Sequence, residues 1–182
     1  KVDLLSALIQ HQLQEFVAVL NLNQEFERPE SGVGHPGSGA PFGIYKTKDD
    51  YITIAVASLE DLSEILENEE LKKYSEGPRG AMGSDLQIKK RDEIFHYIEN
   101  LTKNYTTDYL DKKLSDKGCW SSPLKTHKEV FEDNQVKHMN TFTSFEHSHY
   151  GKVTTVSPAV KMSETPTKIS KPVPMIGEHG FE

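Results

Sequence analysis

Apolar side chains return at helical spacing along residues 4–22: Leu5, Leu8, Ile9, Leu13, Phe16, Val17 and Leu20 share one stripe, with Gln10, His11, Gln14 and Glu15 opposite. The spacing predicts an amphipathic helix whose apolar face needs a partner surface. Residues 23–41 lose this period and fill with Gly, Pro and charge, the composition of a linker or long ordered loop. Aromatic and β-branched residues then dominate 42–47 and 51–56, on either side of Lys48-Asp49-Asp50, which predicts an antiparallel hairpin. A helix should cover 59–66, with Ser58 as its N-cap and Glu60 or Asp61 favoured in its first turn. A short acidic helix near 68–74 and a loop at 76–83 come next.

Ser84 can cap a long helix over 85–103, along which Leu86, Ile94, Ile98 and Leu101 form one face. Thr106 opens another, ending near Lys117 because Gly118 suits a left-handed terminal position. Thr126 and Glu129 make a capping box for a helix through about 131. Two strands are expected near 140–146 and 152–156, followed by an extended tail interrupted by Pro158, Pro166, Pro172 and Pro174. No repeat of fixed period is present, so the fold class is mixed α+β: antiparallel strands with flanking helices.

Composition narrows the partners. The 182 residues carry a net charge of −7, which disfavours generic attraction to nucleic acid or an anionic membrane. No apolar run is long enough to span a bilayer and no leader is evident, so a soluble, cytoplasmic protein is expected. One cysteine, Cys119, cannot form an internal disulfide. The opening Lys1-Val2-Asp3 has no initiator methionine and runs at once into the helical pattern, as the start of a fragment would.

Three stretches in order resemble family III CoA-transferases, the group of formyl-CoA transferase, carnitine CoA-transferase and bile-acid-inducible protein F, with α-methylacyl-CoA racemase as a sister. His35-Pro36 through Ala40-Pro41-Phe42-Gly43-Ile44-Tyr45 to Ala55 is similar to the entry into that family's small domain, with Asp50 where the family usually has Gly. Gly118-Cys119-Trp120 through Glu129-Val130-Phe131 to Gln135 is similar to its Asp-Pro-Gln helix, with Asn134 in place of Pro. Ser157-Pro158 through Pro166 and Pro174-Met175-Ile176-Gly177-Glu178-His179 resemble its closing pattern. The resemblance implies that residues 1–22 are a helix of a Rossmann-like large domain, 23–42 a linker, 43–136 a small α+β domain, and 137–182 a linker and return segment to the large domain. It also implies an interlocked homodimer acting on acyl-CoA and a carboxylic acid acceptor, without a metal.

In that family an aspartate attacks the acyl-CoA thioester to give a mixed anhydride, dividing one acyl transfer into easier steps. No residue here matches that nucleophile, so the chain alone is expected to be inactive. One carboxylate does match: Ala55-Val56-Ala57-Ser58-Leu59-Glu60 is similar to the racemase pattern in which a Glu supports a catalytic His, and Glu60 is the candidate catalytic residue. Its simpler role is that of a first-turn helix carboxylate. An isomerase of the racemase type and a non-catalytic truncated interaction module stand as alternatives. Gly32-Val33-Gly34-His35-Pro36-Gly37 has dinucleotide-loop spacing but follows no strand and opens no long helix, so it reads as a loop. His138, His147, His149 and His179 lack ligand spacing and read as surface residues, Cys119 as a packed small residue, and Lys89-Lys90-Arg91 as a solvated helix face.

Overall fold

The stripe of residues 4–22 forms two helices in the computed structural model, α1 (Leu4–His11) and α2 (Leu13–Leu22). The model describes residues 3–22, 25–29, 34–75, 83–178 and 180. Asp3 caps α1 by accepting from the Ser6 N–H at 2.8 Å, and the helix stops at Gln12, whose ψ of 25° turns the chain before α2 begins. Neither helix buries a residue: Leu4 is 92% exposed and Leu20 76%, so their apolar stripe is uncovered in this chain.

Strand β1 (Gly43–Lys46) pairs antiparallel with β2 (Tyr51–Val56), with Lys46 opposite Tyr51. The four-residue turn 47–50 contains no positive φ, which is why Asp50 can stand where a glycine was expected. Side chains take over the turn. The Thr47 hydroxyl accepts from the Asp50 N–H at 2.9 Å, and Asp49 Oδ1 accepts from the backbone N–H and hydroxyl of Thr107 at 2.8 and 2.9 Å.

Those bonds, the Thr107 N–H foremost, hold the Asp49 carboxyl below its ordinary value of 3.8. A lowered folded-state value favours the ionised form in the fold. Its stabilisation is present above the unfolded pKa and lost as pH falls through the lower folded one. Asp49→Asn is therefore expected to lower the melting temperature at pH 7, with the difference from the native chain closing below about pH 4. A difference that persists undiminished at about pH 2 would refute this linkage.

Ser58 caps α3 (Leu59–Ile65), accepting from the Asp61 N–H at 3.0 Å, and a 3-10 turn follows at Glu69–Tyr74. The helix expected over 85–103 is broken at Lys90 into α4 (Asp85–Lys89) and α5 (Arg91–Thr102). Ser84 and Gln87 form a capping box at the start of α4. Helix α6 (Thr107–Asp116) is capped by Thr106 and closed by Gly118 at φ +72°. There the Gly118 and Cys119 N–H groups donate to Ser115 and Leu114 carbonyls, satisfying the last turn.

A third strand, β3 (Trp120–Pro123), was not evident in the sequence. It pairs antiparallel with β2 to give the order β1-β2-β3, with the register shifting between Ile54 and Val56. One face of this sheet meets α3, α5 and α6 in a core of Tyr45, Ile52, Ile54, Leu62, Ile94, Ile98 and Leu110. Tyr45 stacks on Phe95 at 4.6 Å between ring centroids, yet its hydroxyl is buried without a hydrogen-bond partner. Burial pushes that phenol well above its ordinary range. Removing an unsatisfied buried group relieves a desolvation cost, so Tyr45→Phe is expected to stabilise by about 1 kcal/mol, read from a higher urea midpoint. A lower midpoint would mean that the hydroxyl has a partner in solution.

The chain divides by its internal contacts into residues 1–124 and 125–182. The second unit begins with α7 (His127–Glu132), opened by the Thr126–Glu129 capping box, and α8 (Asn134–His138), capped by Asp133. Asn134 is the first residue of α8, the position where a proline's missing N–H costs nothing. Strands β4 (Phe142–His147) and β5 (Gly151–Val156) form a separate antiparallel hairpin, and among the described residues no helix or strand follows β5. Apart from Gly83, the expected loop at 76–83 lies outside the described residues, as do Gly32, Val33 and His179.

Candidate functional site

The C-terminal end of β2 and the segment entering β1 enclose a cleft of about 470 Å³, within the range of small-molecule sites. Residues 55–60 form one wall and 38–42 the facing rim; Gln14, His35, Ser75, Gly83, Ser84 and Gln87 also line it. The irregular pairing of β2 around Ala55 lies in that wall, a placement common beside functional clefts. Glu60, the candidate carboxylate of the sequence, is half-buried in the first turn of α3 and lines this cleft. A carboxylate there can orient an imidazole or a hydroxyl of a group entering the cleft.

The rim is held from three sides. At Gly39 a Cβ would lie 2.8 Å from the backbone carbon of Gln87, so α4 packs directly on the glycine backbone. Arg91, expected on a solvated face, is buried: its Nη1 donates to the Pro36 carbonyl and its Nη2 to that of Glu27. The break at Lys90 coincides with this inward turn of Arg91. His35 Nδ1 accepts from the Gly37 N–H at 3.0 Å, and Nε2 lies 2.6 Å from Glu15 Oε1. None of these three fastenings was legible in the sequence, although the Ser84-x-x-Gln87 spacing that opens α4 was available.

Other candidates separate by their surroundings. Cys119 is half-buried against the core, and burial raises its thiol, so no thiolate is prepared for attack. His147 is buried, contrary to the surface role expected: Nδ1 accepts from the His149 and Tyr150 N–H groups at 3.1 and 3.3 Å, and Nε2 donates to the Val173 carbonyl at 2.9 Å. It shapes the turn between β4 and β5. No cluster of three or more His, Cys, Asp or Glu is placed to hold a metal among the described residues. No helix among them is long and apolar enough to cross a membrane.

The architecture is shared with known structures. A CaiB/BaiF family protein from Brucella suis aligns over 92% of this chain and 42% of its own, with a TM-score of 0.63 at 22% identity. The succinyl-CoA:glutarate CoA-transferase of Homo sapiens is 28% identical over 160 residues, 81% of this chain and 33% of that protein. A formyl-CoA:oxalate CoA-transferase of Rhodopseudomonas palustris is 25% identical over 156 residues, 84% of this chain and 36% of that protein. The chain thus spans about a third of the length of these curated relatives. The model of CoA-transferase family III matches residues 1–180, and the chain belongs to that family.

Proposed function

We propose that this chain is the C-terminal part of a protein that transfers CoA from an acyl-CoA to a carboxylic acid. The observation that carries this reading is the match to two relatives named as CoA-transferases along more than four-fifths of the chain. In this reading residues 43–136 are the small domain, 23–42 the linker, and residues 1–22 and 137–182 belong to a Rossmann-like large domain of an interlocked homodimer. The uncovered stripe of α1 and α2 supports it, since an apolar face of that extent needs a covering surface. The nucleophilic aspartate belongs to the rest of the protein. It displaces CoA thiolate from the donor thioester to form an acyl–aspartyl anhydride. The thiolate then attacks the aspartyl carbonyl, releasing the donor acid and leaving an aspartyl-CoA thioester. The acceptor carboxylate displaces the thiolate to form a second anhydride, and the thiolate attacks its acceptor carbonyl, giving the new thioester and freeing the aspartate.

The test uses full-length protein with succinyl-CoA and labelled glutarate, and with formyl-CoA and labelled oxalate. Label should appear as a CoA thioester, and the 182-residue chain alone should form none. Absence of labelled thioester across these pairs and a wider acid panel would end the reading. Glu60 in the cleft favours one alternative, an isomerase moving the α-proton of an acyl-CoA. Under it, full-length Glu60→Gln should slow α-proton exchange by at least about tenfold. Unchanged exchange would leave Glu60 with its helix role alone.

A further inference from the structure

We propose that Glu15 and His35 form a positioning pair that pins α2 to the rim of the cleft, holding residues 38–42 opposite Glu60. The two lie 20 residues apart in sequence, Glu15 within α2 and His35 outside any helix or strand. Both ring nitrogens of His35 are engaged. The Gly37 N–H donates into Nδ1, which fixes the ring proton on Nε2, where it is donated to Glu15 at 2.6 Å. A ring held at both nitrogens has no free site for proton transfer to a substrate, so its role is positional. Glu15 is held as the acceptor: hydrogen bonds from its own backbone N–H and from His35 lower its carboxyl pKa.

The pair acts on the rim through the main chain. The Ser38 N–H donates to the His35 carbonyl at 3.1 Å and the Phe42 N–H to that of Gly39 at 3.2 Å, so the rim is a run of turns starting at His35. Gln14, next to Glu15, lines the same cleft, so α2 reaches the site directly through Gln14 and indirectly through the bond of Glu15 to His35. Arg91 and the Gly39–Gln87 contact tie the rim to α5 and α4, whereas the Glu15–His35 bond ties it to α2.

Full-length protein carrying Glu15→Ala, His35→Ala, both, or Glu15→Gln separates the outcomes. Hydrogen exchange at the Ser38 and Phe42 amides should rise about tenfold in each alanine variant, with exchange at the Ile52 and Ile54 amides of β2 unchanged. The double variant should match either single one, since the two residues act as a unit. Glu15→Gln keeps an acceptor oxygen for Nε2 and should stay within about twofold of the native chain. Resting on the proposed transfer, kcat/KM should fall about tenfold in the alanine variants and be restored by the glutamine. Rim exchange equal to native, or a rise shared equally by β2, would overturn the pairing. So would singles whose effects multiply in the double variant, or native kcat/KM in both alanine variants of a protein that transfers CoA. If the native protein transfers none, the transferase reading fails while the exchange measurement still decides the pair.

Discussion

Gly39→Ala is expected to destabilise the first unit by about 2 kcal/mol and to open the cleft rim, although only a methyl group is added. The new Cβ would sit 2.8 Å from both the backbone carbon and the Cβ of Gln87, and 3.0 Å from its carbonyl oxygen. Backbone cannot swing aside as a side-chain tip can. Relief must come from separating the rim from α4, which also disturbs the Ser84–Gln87 capping box. For a chain of this size the loss corresponds to about 4–8 °C in Tm. Two other glycines calibrate the effect. At Gly34 the added Cβ meets the edge of the Phe42 ring, which can rotate, and at Gly118 nothing lies within 4 Å. Gly118→Ala then costs only the strain of φ +72°, about 1 kcal/mol. A Gly39→Ala chain that melts with the native one would show that α4 does not pack on the rim.

Much of the fold was legible because its punctuation is local. Ser58, Ser84, Thr106 and Thr126 each satisfy an N–H three residues ahead, and Gly118 closes α6 by its own conformational freedom. The helix breaks at Gln12 and Lys90 carry no Gly or Pro and leave the apolar spacing intact, so periodicity runs straight through them. Strand β3 is equally silent. Trp120-Ser121-Ser122-Pro123 has little strand propensity and becomes a strand by pairing with β2, with Pro123 at its end opposite Ile52.

The candidate site divides along the same line between local and distant determinants. Glu60 is singled out as a candidate because its sequence neighbourhood resembles a known pattern, and a carboxylate also suits the first turn of α3. Its place in the cleft depends on residues 38–42, whose path is set by partners far along the chain. His35 meets Glu15 across 20 residues, and Arg91 meets Pro36 across 55 and Glu27 across 64. Carbonyl partners leave no trace in residue identity. The run Lys89-Lys90-Arg91 therefore looks uniformly solvated, although its third member is 6% exposed. His147 is a similar case, because its acceptors and donors are backbone groups of a turn and of the tail.

Replacing Arg91 with methionine tests that buried clamp directly and is expected to cost about 3 kcal/mol. Methionine fills much of the volume of the aliphatic stem, so cavity formation contributes little and the loss falls on the two hydrogen bonds from a charged donor. Without them the Pro36 and Glu27 carbonyls lose their guanidinium partner, and the segment between α2 and β1 loses its tie to α5. Lysine separates charge from geometry. Its ammonium preserves the charge but lacks the planar fork that reaches two carbonyls at once, so Arg91→Lys should recover about half of the stability. The measurement is the urea midpoint of the three proteins together with hydrogen exchange across residues 25–29 and 34–42. Exchange there should rise in the order native, lysine, methionine. Should methionine leave the midpoint within about 0.5 kcal/mol of native, the buried guanidinium would be no more than tolerated, and the rim would owe its position to Gly39 and to the Glu15–His35 bond.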